Sequence, residues 1–209
     1  MKILHIDSSI AQERSVTRLL SHEVVRQMTE TGRYESVVYR DVVKDEIRHL
    51  TGNIAAGFRP VPGGDSTGEA LTQEHQISDK LIEEFLASDT IVIGAPMYNF
   101  SVPSQLKAWL DRLAQPGKTF SYTPQGPVGL AGGKTVIVVS ARGGFYANTP
   151  LVEMDFQERY LRNFFAFLGI SHVEFIRAEG TSKGDEIKQH EIADALVSIP
   201  HFLSNIYPS

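Results

Sequence analysis

Continuous apolar runs alternate along the chain with stretches whose apolar positions recur every three or four residues, which predicts a parallel sheet with crossover helices. The first strand is Lys2-Ile3-Leu4-His5-Ile6-Asp7, and a helix follows from about Ser15 with Val16, Leu20, Val24 and Met28 on one face. Gly32 is its stop, and Ser36 to Tyr39 is the second strand. A second helix carries Ile77, Leu81, Ile82, Phe85 and Leu86 toward the core. Thr90-Ile91-Val92-Ile93-Gly94-Ala95 alternates too little to face water on either side, so it is a central strand. Pro103 suits the first turn of a third helix, whose stripe is Leu106, Trp109, Leu110 and Leu113. Thr135 to Ser140 is the fourth strand, Phe156 to Leu168 the fourth helix and Val173 to Ile176 the fifth strand. A last helix from Asp185 is expected to end at Pro200. Five strands and five helices make a doubly wound α/β fold, with helices on both faces of the sheet and an expected strand order 2-1-3-4-5.

Between the second strand and the second helix lies an excursion from about 41 to 68, punctuated by Arg59-Pro60-Val61-Pro62-Gly63-Gly64. A loop of that length is uncommon in a compact domain and is expected to be functional or interface-forming. The 209 residues fit one domain, 1–209, that includes this excursion.

Composition narrows the chemistry. There is no cysteine, which excludes disulfides, thiolate nucleophiles and cysteine-ligated metal or iron–sulfur centres. Redox chemistry would have to ride on a bound organic cofactor. A net charge of −5 without a basic run leaves no nucleic-acid footprint and no polybasic membrane segment. The uncharged run beginning at Thr90 holds two prolines and an asparagine and is too short and polar to span a bilayer. Asp7 stands too near the start for a secretion signal, so a cytoplasmic protein is expected. The seven histidines show no i, i+4 pair and no H-E-x-x-H, and no metal site is expected. Gly129 to Thr135 imitates a triphosphate loop, but it is one residue short and leads into a strand, so it is a turn.

In an open parallel sheet ligands bind beyond the carboxyl ends of the strands, where the order reverses. Three loops meet there. The first, Ser8 to Thr17, opens a helix whose unpaired amides suit an anion, with hydroxyls from Ser9, Ser15 and Thr17. By itself it fits a simple helix cap as well. The second, Pro96-Met97-Tyr98-Asn99-Phe100-Ser101-Val102-Pro103, offers a thioether and two aromatics to the face of a planar heterocycle, or a hydrophobic lid to the sheet end. The third, Ala141-Arg142-Gly143-Gly144-Phe145-Tyr146, lets backbone approach a ring edge, or is a tight turn. Together a phosphate, a ring face and a ring edge describe a flavin mononucleotide, and the G-x-G-x-x-G fingerprint of dinucleotide folds is absent from the first loop.

The chain resembles the FMN-dependent NADH:quinone/azo oxidoreductases, the azoreductase family of flavodoxin-like proteins. The resemblance runs from Lys2 to the last helix and is most specific at Ala95-Pro96-Met97-Tyr98-Asn99-Phe100, at Arg142-Gly143-Gly144, and at Phe120-Ser121-Tyr122-Thr123 with Gly126-Pro127. It implies that Ser9, Ser15, Val16 and Thr17 hold the FMN phosphate, and that Met97, Tyr98, Asn99 and Phe100 pack on and hydrogen-bond the isoalloxazine. Ala141, Arg142, Gly143 and Gly144 would wrap the pyrimidine side. It further implies a homodimer in which Tyr122 lines the substrate pocket, Phe167 reaches it from the partner subunit, and Arg59 lies on a mobile loop nearby. Tyr146 stands where some members carry histidine, which bears on substrate range.

The implied activity is ping-pong reduction of flat electrophiles (quinones, azo compounds, nitroaromatics) by NADH or NADPH, with azo bonds cleaved to amines and no protein acid or base. Arg14, Arg59 and Arg142 are the candidates to meet a 2′-phosphate. An electron carrier or a cofactor-free module would use the same fold, but the excursion and the aromatics Tyr122, Phe156 and Phe167 suit a walled pocket better.

Overall fold

The computed structural model describes residues 1–64 and 67–208, so residues 65 and 66 of the excursion lie outside it. Five parallel strands form the central sheet: β1 (Lys2–Asp7), β2 (Ser36–Asp41), β3 (Thr90–Pro96), β6 (Thr135–Ala141) and β7 (His172–Ala178). Their order is β2-β1-β3-β6-β7, the one expected, and the order reverses between β1 and β3. Every residue of β3 is buried, because helices cover both faces of a sheet whose middle has no edge.

On one face lie α1 (Val16–Glu30) and α6 (Asp185–Ile206), packed through Leu20, Val24, Met28, Ala195 and Ile199. On the other lie α3 (Glu69–Ala87), α4 (Ser104–Leu113) and α5 (Phe156–Phe167), closing around Phe85, Trp109, Leu113, Leu161 and Phe165.

Four expectations are corrected. First, α6 passes through Pro200 and ends at Ile206. A proline inside a helix costs roughly 3 kcal/mol. Here Ile199, Leu203 and Ile206 continue the apolar face into the core, and that burial outweighs the lost bond. Second, Phe120–Thr123 and Gly126–Gly129 form an antiparallel hairpin, β4 and β5, that the apolar pattern does not announce. Third, the excursion is not structureless, because Thr51 caps a short helix, α2 (Gly52–Ala56), that buries Ile54 and Ala55. Fourth, Ile77 is 41% exposed, whereas Glu74 and Ser78 of the same helix are buried.

The cause is Arg112, fully buried on α4. Its guanidinium binds the Glu74 carboxylate at 2.6 Å and Ser78 Oγ at 2.7 Å, and donates to the Arg48 carbonyl at 2.9 Å. One cation thus ties the excursion to the second layer of helices. Among the described residues no helix is long and apolar enough to cross a membrane.

Candidate functional site

The three loops do meet at the carboxyl edge of the sheet. Ser8 pins the first loop to β3, its hydroxyl donating to the Gly94 carbonyl at 2.7 Å. A 3-10 turn (Gln12–Arg14) then brings Ser15 to the N-cap of α1, where its hydroxyl accepts from the Arg18 amide at 3.1 Å and lies 3.1 Å from Thr17 Oγ1. The Val16 and Thr17 amides open the first turn of α1 and have no helical carbonyl a turn earlier to meet. Two amides, two hydroxyls and the positive end of a helix dipole therefore face one spot.

The second loop is held from both sides. The Met97 amide donates to the Ala141 carbonyl at 2.8 Å, and Tyr98 and Ser101 exchange backbone bonds of 3.0 and 3.1 Å around a two-residue turn. That turn puts Asn99 at φ 47° and Phe100 at φ 70°. Such backbone is uncommon outside glycine and is clearly strained for a bulky residue. The Phe156 amide donates to the Phe100 carbonyl at 3.1 Å, so the start of α5 holds the turn in place. The Tyr98 hydroxyl reaches back to the first loop, accepting from the Ile10 amide at 3.2 Å and lying 3.4 Å from Ser9 Oγ.

The third loop is built against the turn after β7. Gly180 and Ser182 donate their amides to the Gly144 and Gly143 carbonyls at 2.9 and 3.2 Å. A Cβ on Gly143 would lie 2.7 Å from Ser182 Oγ, so any side chain there would force Ser182 to shift. The Arg142 side chain turns away from the edge. Its guanidinium is 1% exposed, between Asp155 at 2.8 Å, Glu158 at 2.7 Å and Glu179 at 3.4 Å. Only its backbone belongs to the loop, and its guanidinium has no reach to a 2′-phosphate. Glu179 also accepts from the Tyr146 and Ala147 amides at 2.9 and 3.1 Å, so the buried cation and the loop share one carboxylate.

Two clefts open around these loops. The first, about 320 Å³, brings together Ser9, Ser15, Val16, Thr17, Met97, Tyr98, Ala141 and Gly143 from the expected set. It adds Thr181, Ser182 and Lys188, which the sequence reading missed. Only the fold places the turn after β7 beside the glycine pair, so linear pattern carries no signal for them. The second cleft, about 750 Å³, shares the wall Met97–Tyr98 and continues past Asn99 to Gln105, Lys107 and Tyr160. Burial pushes the Tyr160 phenol up from its ordinary value, with Asp111 adding to the effect, so it stays protonated.

Phe100 and Gly144 stand beside the clefts without lining them. Tyr122, Phe167 and Arg59 lie apart from both. Tyr122 is 74% exposed on β4 with its ring edge-on to Phe120 at 5.2 Å, and Phe120 stacks at 4.5 Å on Phe167. Phe167 is thereby half-buried against its own chain. Arg59 is exposed beside Phe58.

Beneath the first loop lies a polar group that helix spacing could not reveal. Asp7 accepts from Ser21 at 3.0 Å and Tyr39 at 2.9 Å, with His22 at 3.2 Å, His5 at 3.6 Å and Arg18 at 3.8 Å. Burial alone would raise the Asp7 carboxyl, but hydrogen bonds and charge from His5, Tyr39 and Arg18 prevail and hold it at about 2. His5 and Asp7 share a strand face two residues apart, and His22 arrives from α1.

The comparisons with known proteins agree with this geometry. Residues 1–201 match the family model described as a flavodoxin-like fold. The chain is 51% identical over 206 residues to FMN-dependent NADH:quinone oxidoreductase 2 of Xanthomonas euvesicatoria pv. vesicatoria (strain 85-10), covering 99% of this chain and 95% of that protein. It is 53% identical over 196 residues to FMN-dependent NADH:quinone oxidoreductase of Bradyrhizobium sp. (strain BTAi1), with 93% of this chain and 96% of that protein covered. The crystal structure of azoreductase AzrA superposes with a TM-score of 0.87 at 28% identity, over 98% of this chain and 100% of that one. Alike in sequence and in fold over nearly its whole length, this chain belongs to the flavodoxin-like family and, within it, to the FMN-dependent NADH:quinone oxidoreductases.

Proposed function

We propose that the protein binds FMN in the smaller cleft and uses NADH to reduce quinones and aromatic azo compounds by ping-pong two-electron transfer. The observation that carries this reading is one cleft bounded by the Val16 and Thr17 amides at one end and by Met97, Ala141 and Gly143 at the other. The donor set fits the cofactor. Amides and hydroxyls from 15–17 suit a terminal phosphate, and Gly143 borders the same cleft beside Met97 and Ala141 with backbone alone, which suits the edge of a ring. When bound, FMN supplies the two-electron relay between NADH and the acceptor, and the protein supplies position and electrostatics.

On this reading Met97 and Tyr98 pack against the ring, Asn99 hydrogen-bonds its polar edge, and Phe100 flanks it. Ser9 and Ser15 join the phosphate end, while the backbone of Ala141, Arg142 and Gly144 borders the pyrimidine. The larger cleft across the Met97–Tyr98 wall receives the flat acceptor, nitroaromatics included. NADPH is a second donor in this proposal, with Arg14 and Arg59 as the exposed cations free to meet its extra phosphate.

A homodimer completes the pocket in this proposal. Phe100 of the second loop, Phe145 of the third, and Leu151, Val152, Met154 and Phe156 on the way into α5 are all exposed, and so many exposed apolar side chains suit an interaction surface. A second copy would bring Tyr122, Phe167 or Arg59 to the acceptor's side, where one chain alone does not.

Extraction and chromatography of the cofactor tests the reading first, with FMN the expected species and FAD the refuting one. The purified protein should then oxidise NADH with a quinone and no partner protein, and dependence on a second protein would make it an electron carrier instead.

A further inference from the structure

We propose that Lys188, in the first turn of α6, binds the phosphate of FMN in the cleft that it lines together with Val16 and Thr17. The inference rests on the FMN reading above and adds a residue to it. Three lysines are half-buried among the described residues: Lys107, Lys134 and Lys188. Lys107 is paired with Asp111 at 2.6 Å, and Lys134 donates to the Leu86 and Ser88 carbonyls, each at 2.7 Å. Lys188 lines the 320 Å³ cleft and has neither a carboxylate nor a carbonyl acceptor among the described residues. Taking an ammonium partly out of water without a partner is unfavourable, and such groups are found beside an opposite charge.

The segment at 15–17 has the complementary deficit. A phosphate monoester carries about −1.5 to −2 charge at neutral pH. The groups at 15–17 are amides and hydroxyls, and the α1 dipole offers only about half a positive charge. They can satisfy the oxygens but cannot neutralise the dianion. The two helices lie side by side on one face of the sheet and both begin at its carboxyl edge, so their first turns border the same cleft. Arg14 also borders it but is exposed on the rim, where solvent screens its charge.

Flavin titration of the full-length, flavin-stripped protein, followed by fluorescence quenching, tests this with two ligands, FMN and riboflavin. Lys188→Met keeps the length of the side chain and removes the charge. It should weaken FMN binding by about 10- to 100-fold, the usual range for one charge-assisted contact, and leave riboflavin affinity unchanged. Lys188→Arg should restore most of the FMN affinity. Salt should weaken FMN binding to the wild type more steeply than to the methionine variant. Unchanged FMN affinity in Lys188→Met overturns the inference. So does an equal loss for both ligands accompanied by a lower flavin midpoint potential, which puts the lysine on the ring. Failure of the wild type itself to bind FMN overturns the underlying reading, and the inference with it.

Discussion

The substitution Arg142→Met isolates what the buried cation does for the third loop. The guanidinium sits among three carboxylates, those of Asp155, Glu158 and Glu179, whose side chains are 9%, 15% and 12% exposed. Arg177 is a second cation on this group, reaching Glu158 at 2.6 Å. A methionine side chain would fill most of the volume but leave three nearly buried carboxylates with one cation. Removing one partner from a buried ion pair costs about 3–5 kcal/mol. For a chain of this size each kcal/mol moves the melting temperature by about 2–4 °C, so the variant should melt roughly 6–20 °C lower at pH 7.

The pH dependence gives a second handle on the same substitution. Burial alone would push the Glu158 carboxyl up, but hydrogen bonds and charge from Arg177 and Arg142 outweigh it and hold the group below the usual carboxylate range. A depressed carboxyl contributes stability that is complete above its unfolded pKa and lost as pH falls through the folded one. The wild type therefore loses this contribution on acidification, while the variant, short of one cation, gains from neutralising its orphaned carboxylates. The gap between the two should narrow as pH falls from 7 toward 4. Thermal and urea unfolding across that range measure it. A loss below about 1 kcal/mol, or a gap that widens in acid, would refute the argument that the cation holds the cluster together.

Three shorter expectations follow from the same geometry. Asp7→Asn should cost about 2 kcal/mol near neutral pH, since the native carboxyl titrates at about 2, and the penalty should vanish as acid protonates the wild type, as urea unfolding at pH 7 and pH 2 would reveal. Gly144→Val should keep the fold, because a Cβ there makes only an ordinary 3.4 Å contact with the Tyr146 ring, yet lose flavin absorbance; full flavin occupancy would put the ring elsewhere. Tyr122→Ala should impair turnover of flat acceptors more than FMN retention, because its ring is exposed and outside the cofactor loops, and loss of FMN with unchanged activity per bound flavin would contradict that.

The strand order was legible because apolar runs such as Thr90–Pro96 are long and uniform, and because strands and helices strictly alternate. The β4–β5 hairpin was not, since Phe120–Thr123 and Gly126–Gly129 are short and the second carries glycine and proline. Pro200 misled because local propensity lost to the packing of Ile199, Leu203 and Ile206. At the site, the loops after β1, β3 and β6 stood out by composition. The direction of the Arg142 side chain did not, because its acceptors come from α5 and from the turn after β7, well removed in sequence. Lys188 and Ser182 were illegible for a related reason, being ordinary residues until the fold puts them beside Gly143.

One segment has to serve both clefts, and its backbone fits that demand. Met97 and Tyr98 form the wall shared by the smaller and larger cleft. On the proposed reading, electrons cross here between a cofactor that stays and an acceptor that exchanges. Such a wall must not move when one side empties. The adjoining turn at Asn99–Phe100 stays in left-handed backbone that a free loop would abandon, at a cost on the order of 1–3 kcal/mol per strained residue. Three contacts from separate elements hold the segment there: the Met97 amide on the Ala141 carbonyl, the Phe156 amide on the Phe100 carbonyl, and the Tyr98 hydroxyl against the Ile10 amide. Strain fixed from three sides is rigid rather than mobile, so exchange of the acceptor has to come from the open side of the larger cleft. Exposed Phe100 follows Asn99 of that cleft directly in the chain, and on the proposed reading the second subunit covers it, so there the residues that select among flat acceptors are to be sought.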